Sequence, residues 1–299
     1  MLGMKIHKTG WIPPTPMERC NPTFVLSNVI DKTKEETGKP KTEQSRHNMN
    51  KPFKMRKLIS VLMIVLIAVA QPYISFSQVN NVMSVERVFP KADKSAEFEK
   101  ALAAHAQKFH KGDHQWHVFE IQTGPDMGGY HISEGPTSWD ALDTRGNLGE
   151  EHTMDWNKNI AIHLTDRKSG SYSVYQDSLS TIALTDFTEK INITHIYPKI
   201  GQWDNVEGMI KKLRKTWQAE GVTVAVYASS SSGKPQFTLV TRYKQGLKEK
   251  AKGFRRPFKE AFEAANGAGS YNQYLKDAAE FVDERWDELL FMNKDLGSK

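Results

Sequence analysis

Arg87-Val88-Phe89-Pro90-Lys91 recurs 108 residues downstream as His195-Ile196-Tyr197-Pro198-Lys199. Outward from that pair, residues 83–142 overlay 191–250 at the same offset without a gap. Phe98, Leu102 and Phe109 then fall on Val206, Ile210 and Trp217. A long shared pattern at one offset means two copies of one supersecondary unit.

Each copy opens with a β-branched and aromatic strand, 82–89 and 191–197, that ends at the Pro-Lys pair. A helix follows, with Asp93 or Ser95 as the first cap, an Asp204–Glu207 capping box at the second, and Gly112 and Gly221 as stops. Two strands come next, 116–121 and 130–133 in one copy, 223–227 and 237–243 in the other. Helical spacing returns at 138–142 and 150–164, and at 247–265 and 271–283; closing strands lie at 172–178 and 286–292. The frame slips by several residues before the last strand, so the second copy carries the longer helical insertion. Residues 182–189 connect the copies.

The order β-α-β-β-α-β, twice, is the split βαβ or ferredoxin-like unit, and the fold class is α+β. One such unit leaves a face of its four-stranded sheet bare, and two copies packed sheet to sheet cover it. On that order and repetition, residues 80–299 resemble the dimeric α/β-barrel superfamily in a fused two-copy form. The superfamily includes cofactor-free monooxygenases, haem-degrading and haem-binding proteins and muconolactone-isomerase-like enzymes. The resemblance implies a fold and a pocket between the sheets, not a chemistry. No cofactor is expected from the residues themselves; haem is the alternative the resemblance brings.

The formal charge of +6 points towards polyanions, but it is unevenly placed. Residues 1–77 hold 12 Lys/Arg and 5 Asp/Glu, and residues 78–299 hold 29 and 30, which removes the basis for a nucleic-acid partner. Lys51, Lys54, Arg56 and Lys57 precede an uncharged apolar run at 58–70. Thirteen helical residues span about 20 Å, short of the roughly 30 Å hydrocarbon core. That pattern predicts a signal peptide at 55–77, cleaved after Ser77 or Ala70, hence a periplasmic or secreted protein with no stable membrane anchor after cleavage; the alternative is an uncleaved anchor that runs on through Ile74. Residues 1–54 are polar and lack apolar periodicity, which predicts disorder or a start called too early, with Met49 or Met55 as the true one. The only cysteine, Cys20, lies there, so no disulfide framework is expected downstream. The expected organisation is therefore 1–54, 55–77, a first repeat at 79–180 and a second at 187–299. The first repeat segment, 78–186, carries 10 basic and 16 acidic residues and 187–299 carries 19 and 14, a contrast that favours pairing of the copies. Further oligomerisation stays open.

The repeat also compares each residue with its counterpart. His105 stands where the second copy has Leu213, His117 where it has Ala225, His131 where it has Leu239, and His195 where the first has Arg87. A polar ring in place of an apolar side chain needs a partner when buried. His105 reads first as a satisfied core histidine. Strand alternation turns His117, Phe119 and Tyr227 towards the barrel interior, which makes His117 the leading pocket residue. The ligand-binding candidates are thus His117, His131, His195, Arg87, Tyr227 and His105; no catalytic residue is assigned.

His110, His114 and His117 have poor zinc spacing because Gly112 breaks the helix between them, so no metal is expected. His152, Asp155, Trp156, Asn159 and His163 recur at helical spacing as a solvated polar face or, as the resemblance to haem-handling members allows, a pocket wall. Lys244, Lys248, Lys252, Arg255 or Arg256, and Lys259 recur as a solvated basic face or a surface for an anionic ligand, lipid headgroup or acidic partner. No nucleophile elbow, P-loop, dinucleotide fingerprint or zinc-protease helix occurs, and Asn192-Ile193-Thr194 falls in a strand. The expectation is an exported barrel that binds a small molecule between its sheets, open to being a cofactor-free enzyme. The alternative is a non-catalytic envelope interaction protein whose core is filled by Phe119, Tyr227, Phe237 and Leu239.

Overall fold

In the computed structural model, residues 74–299 form one compact unit, of which residues 79–145 and 148–299 are described. The upstream segment and the expected signal peptide with its two candidate cleavage sites lie outside the described residues. The first repeat contributes strands β1 (Val82–Pro90), β2 (Trp116–Ile121), β3 (Tyr130–Thr137) and β4 (Leu164–Tyr175). The second contributes β5 (Lys190–Pro198), β6 (Val224–Ser230), β7 (Phe237–Arg242) and β8 (Val282–Met292). Together these strands close into an antiparallel barrel in the order β1-β3-β2-β8-β5-β7-β6-β4. Each repeat keeps the strand order of the ferredoxin-like unit. The repeats also join edge to edge, β2 on β8 and β4 on β6, so neither sheet is left with an open edge.

The helices lie outside: α1 (Ser95–Phe109), α2 (Trp139–Arg145) and α3 (Glu150–Asp155), then α4 (Trp203–Ala219), α5 (Phe258–Asn266) and α6 (Ser270–Phe281). None among the described residues is long and apolar enough to cross a membrane. Alternation turns Trp116, Val118, Tyr130 and Ile132 outward beneath Phe98, Leu102 and Ala106 of α1. Likewise Val224, Val226, Phe237 and Leu239 turn outward beneath α4 and α5. Burying each large apolar side chain there contributes about 1.5–3 kcal/mol. The opposite faces, including Phe119, Ile191, Ile193 and Leu290, turn into the barrel. Phe237 and Leu239 are therefore helix-facing core, not barrel filling as the alternative reading required.

Gly112 and Gly221 end their helices with φ of +59° and +64°, as the sequence predicts. The expected caps do not form. Lys94 and Gln202 hold the cap positions without a capping side-chain hydrogen bond, Ser95 is already helical, and Asp204 lies in the first turn. The helix entries are backbone turns instead: Lys94 N–H donates to the Lys91 carbonyl and Gln202 N–H to that of Lys199, both at 2.9 Å. The Pro-Lys pair thus sets the same entry twice.

Two expected helices are broken. After α3 the chain makes a π turn at Trp156–Ile160 and a 3-10 turn at Ala161–His163, and β4 starts at Leu164, ahead of the expected 172. In the second repeat a 3-10 turn at Gly246–Lys250 stops short and α5 begins only at Phe258, after Pro257, which has no amide hydrogen to continue a helix. The basic residues there form no single face: Lys244 pairs with Asp186, Arg255 with Glu249 and Arg256 with Glu220.

The constant offset also fails once. Phe119 faces His131 across β2–β3, while Tyr227 faces Thr238 across β6–β7. The intervening turn is one residue shorter in the second repeat, so the structural counterpart of His131 is Thr238, not Leu239. A one-residue slip exchanges the faces of a strand, which is why the mismatch with Leu239 was misleading.

Candidate functional site

The barrel interior holds two adjoining cavities. One, of about 70 Å³, is lined mainly by apolar side chains, among them Met83, Phe119, Ile193, Tyr227 and Val240. The other, of about 220 Å³, is lined by Arg87, His195, Gln236 and Trp286 and by Ser169, Gly170, Ser171 and Ser173 of β4. His131 lines both.

The polar chamber is asymmetric because the last strands of the repeats differ. Arg87 pairs with Ser169 across β1–β4, and His195 with Trp286 across β5–β8. By the same register Val85 faces Ser171 and Ile193 faces Glu288. Small residues on β4 leave open the space that Trp286 and Glu288 occupy on β8.

Arg87 and His195, repeat counterparts, converge on Glu288, which is 1% exposed. Arg87 donates from Nη1 to Glu288 Oε2 at 3.1 Å and from Nη2 to Oε1, and reaches Asp126 at 2.7 Å. His195 Nε2 lies 2.8 Å from Glu288 Oε1 and Nδ1 lies 2.8 Å from Gln236 Oε1, with the ring stacked on Trp286. Burial works against the Arg87 charge, but the bonds to Glu288 and Asp126 outweigh it and raise its pKa. This pair crosses the repeats against their net charges, with the cation in the acidic copy.

His131 is 9% exposed, and its Nδ1 has no hydrogen-bond partner. Burial, then the neighbouring Arg87 and His195, holds its pKa well below the ordinary imidazole value, so the ring is neutral. An unpaired buried nitrogen costs about 1–3 kcal/mol, which a ligand could recover. His117 does face inward, but its ring lies 4.1 Å from that of Phe187, outside both cavities. Burial, then Arg242, lowers its pKa. Tyr227 lines the apolar chamber and accepts from Arg242 Nη2 at 3.1 Å. Arg242 also donates to the carbonyls of Ala183, Leu184 and Asp186, pinning the inter-repeat connector across that end of the barrel.

His105 lies elsewhere, outside the barrel wall beneath α1. Its Nδ1 is 2.7 Å from Asp155 Oδ2, as a satisfied core histidine requires, but its buried Nε2 has no partner. His110 and His152 stand beside it, and one ring nitrogen from each of the three lies within 4.8 Å of the others. His152 and Asp155 are thus not a solvated face. Sequence spacing missed this group because α1, its C-cap and α3 supply one histidine each. His114 turns instead to Glu134, at 3.2 Å.

Haem does not fit the interior: neither chamber approaches the roughly 300–1,000 Å³ taken by drug-sized ligands, and the macrocycle is larger than most of those.

The closed barrel of two fused ferredoxin-like repeats is a dimeric α/β-barrel fold completed within one chain. No family model matches the chain, and no curated protein matches it. Among solved structures it is similar to a candidate monooxygenase from Lactobacillus acidophilus NCFM, at 10% identity over 73% of this chain and 95% of that one, with a TM-score of 0.43. It is also similar to a candidate monooxygenase from Fusobacterium nucleatum, at 15% identity over 71% and 92%, TM-score 0.45. A ferredoxin-fold protein from Listeria monocytogenes related to antibiotic biosynthesis monooxygenases shares 8% identity over 72% and 96%, TM-score 0.36.

Proposed function

We propose that the barrel binds a small molecule with an apolar body and one polar head, the body in the chamber of Phe119 and Tyr227 and the head against His131. The observation that carries this reading is His131, a buried neutral histidine that lines both an apolar and a polar cavity. Sites of this kind combine an apolar lining with a few placed polar groups. The filled-core alternative loses support from the same two cavities. If the bound molecule reacts, the neutral imidazole of His131 is the group that would hold its polar head by a hydrogen bond, because burial beside Arg87 and His195 disfavours the charged ring.

A phenol such as p-cresol is a suitable probe. Calorimetric titration of the purified protein is expected to show one site, and native mass spectrometry a co-purified small molecule. His131→Thr, which installs the residue of Thr238, is expected to weaken p-cresol binding about tenfold, the value of one hydrogen bond of about 1–1.5 kcal/mol. No binding of p-cresol together with no co-purified mass would overturn the proposal and return the filled-core reading.

We also propose that the barrel acts outside the cytoplasm, on the strength of the basic stretch and short apolar run before it. N-terminal sequencing of the mature protein is expected to begin at Gln78 or Gln71. A chain beginning before Met49 would contradict export.

A further inference from the structure

We propose that His105, His110 and His152 form a metal site, selective for zinc-like divalent ions, on the outer face of the first repeat. It is separate from the barrel interior: β2 turns Trp116 towards the histidines and His117 towards the lumen. The inference is independent of the ligand reading.

Three features of the cluster fit a metal better than a packed core. His110 Nε2 and His152 Nε2 are 3.3 Å apart. Two imidazole ligands at about 2.0–2.1 Å from a tetrahedral zinc stand about 3.3 Å apart, so this pair already has the required edge. His105 is 1% exposed, its Nε2 has no hydrogen-bond partner, and one of its ring nitrogens lies within 4.8 Å of those of the other two histidines. The three ring nitrogens lie within 4.8 Å of one another, so closing the triangle needs a movement of about 1.5 Å at most.

The second feature is the outer support. Asp155 Oδ2 holds His105 Nδ1 at 2.7 Å, and Glu134 Oε2 lies 3.4 Å from His110 Nδ1. The Asp155 carboxylate on the far nitrogen of His105 fixes that ring's tautomer and directs the other nitrogen's lone pair at the metal, while Glu134 stands by His110 at ion-pair distance and not as a hydrogen bond. Glu134 is itself held by Trp116 Nε1 at 2.8 Å, and His110 stacks on the Trp116 ring with centroids 3.5 Å apart. Immediately after Asp155 comes the π turn at Trp156–Ile160, a distortion frequent at functional sites.

The third feature is the comparison between repeats. The buried helix position of His105 is Leu213 in α4, and the position of Trp116 is Val224 in β6. The shifted register places Thr241 at the position of Glu134. The second repeat builds the same helix-on-sheet contact from apolar side chains, so the fold does not require these histidines. Three neutral imidazoles suit Zn²⁺, Cu²⁺ or Ni²⁺ over Mg²⁺ or Ca²⁺. His152 is the partly exposed member, which leaves the fourth coordination position on the solvent side for water or an anion.

The test is titration of the chelator-stripped protein with Co²⁺, read by its visible absorption, followed by displacement with Zn²⁺. One Co²⁺ per chain with intense low-symmetry bands is expected, bleached by one equivalent of Zn²⁺. His105→Leu, which copies the second repeat, and His152→Gln are each expected to weaken Zn²⁺ binding at least 100-fold. His163→Gln, outside the cluster, is expected to bind as the unaltered protein does. Asp155→Asn tests the positioning role, with a loss of about 10–100-fold in affinity and the Co²⁺ bands retained. Melting of His105→Leu without metal checks folding, and His152→Gln at a partly exposed position keeps the test valid if that variant fails. Absence of a stoichiometric site, or a site that survives both substitutions, would overturn the proposal.

Discussion

Replacing Glu288 with alanine is expected to cost the protein about 3–5 kcal/mol, the loss typical when one partner of a buried ion pair is removed. Its carboxylate is the meeting point of β1, β5 and β8: Arg87 reaches it from the first repeat and His195 from the second. With Glu288 gone, the guanidinium keeps Asp126 alone among the described residues, and His195 loses its Nε2 partner inside the barrel. For a domain of this size, 1 kcal/mol moves the melting temperature by about 2–4 °C, so a fall of about 10 °C is the expected reading. Glu288→Gln keeps the shape and one acceptor and should fall between. The triple replacement Arg87→Met, His195→Leu, Glu288→Leu should regain much of the loss, because an apolar set leaves no charge stranded. A Glu288→Ala midpoint within 1 kcal/mol of the unaltered protein would show that the network is not what joins the repeats.

That network marks the limit of what the sequence makes legible. The repeat is visible because strand and helix periods come from local patterning, and Arg87 and His195 stand out because they occupy one repeat position. Their shared partner is invisible, since Glu288 lies in the strand where the repeat frame has already slipped. The same cause misled the reading of His131. One residue lost from the β6–β7 turn moved its true counterpart to Thr238, and a one-dimensional overlay cannot see which way a strand faces after a turn. His117 was assigned to the correct face, yet Phe187 from the connector covers it, a contact that no local pattern encodes. The cluster of His105, His110 and His152 was missed for a related reason. Its members come from three separate segments, and the sequence gives weight only to ligands at regular spacing. One signal was present: His105 in place of Leu213 on a buried helix stripe demanded a partner, and the partner turned out to be incomplete.

The second large effect is on pH dependence, and its direction follows from His131. In the folded barrel burial, reinforced by Arg87 and His195, keeps this ring's pKa well below the ordinary value of 6.5. In the unfolded chain the ring titrates near 6.5. Above that pH neither state binds the proton and the stability is intact. Below it the unfolded chain takes up a proton that the barrel refuses, so stability falls by up to about 1.4 kcal/mol per pH unit for each such histidine. His117 adds in the same direction, lowered by burial and then by Arg242, until pH passes its own folded value. Ordinary carboxylates titrate near 4, so melts between pH 7.5 and 5.0 largely isolate the histidines. The unaltered protein is expected to lose stability steadily below pH 6.5. His131→Thr should flatten the slope, and adding His117→Ala, the residue of Ala225, should flatten it further. Parallel profiles for the unaltered protein and both variants would mean that His131 takes up its proton in the barrel as readily as in the unfolded chain, so that burial beside Arg87 and His195 does not hold the ring neutral.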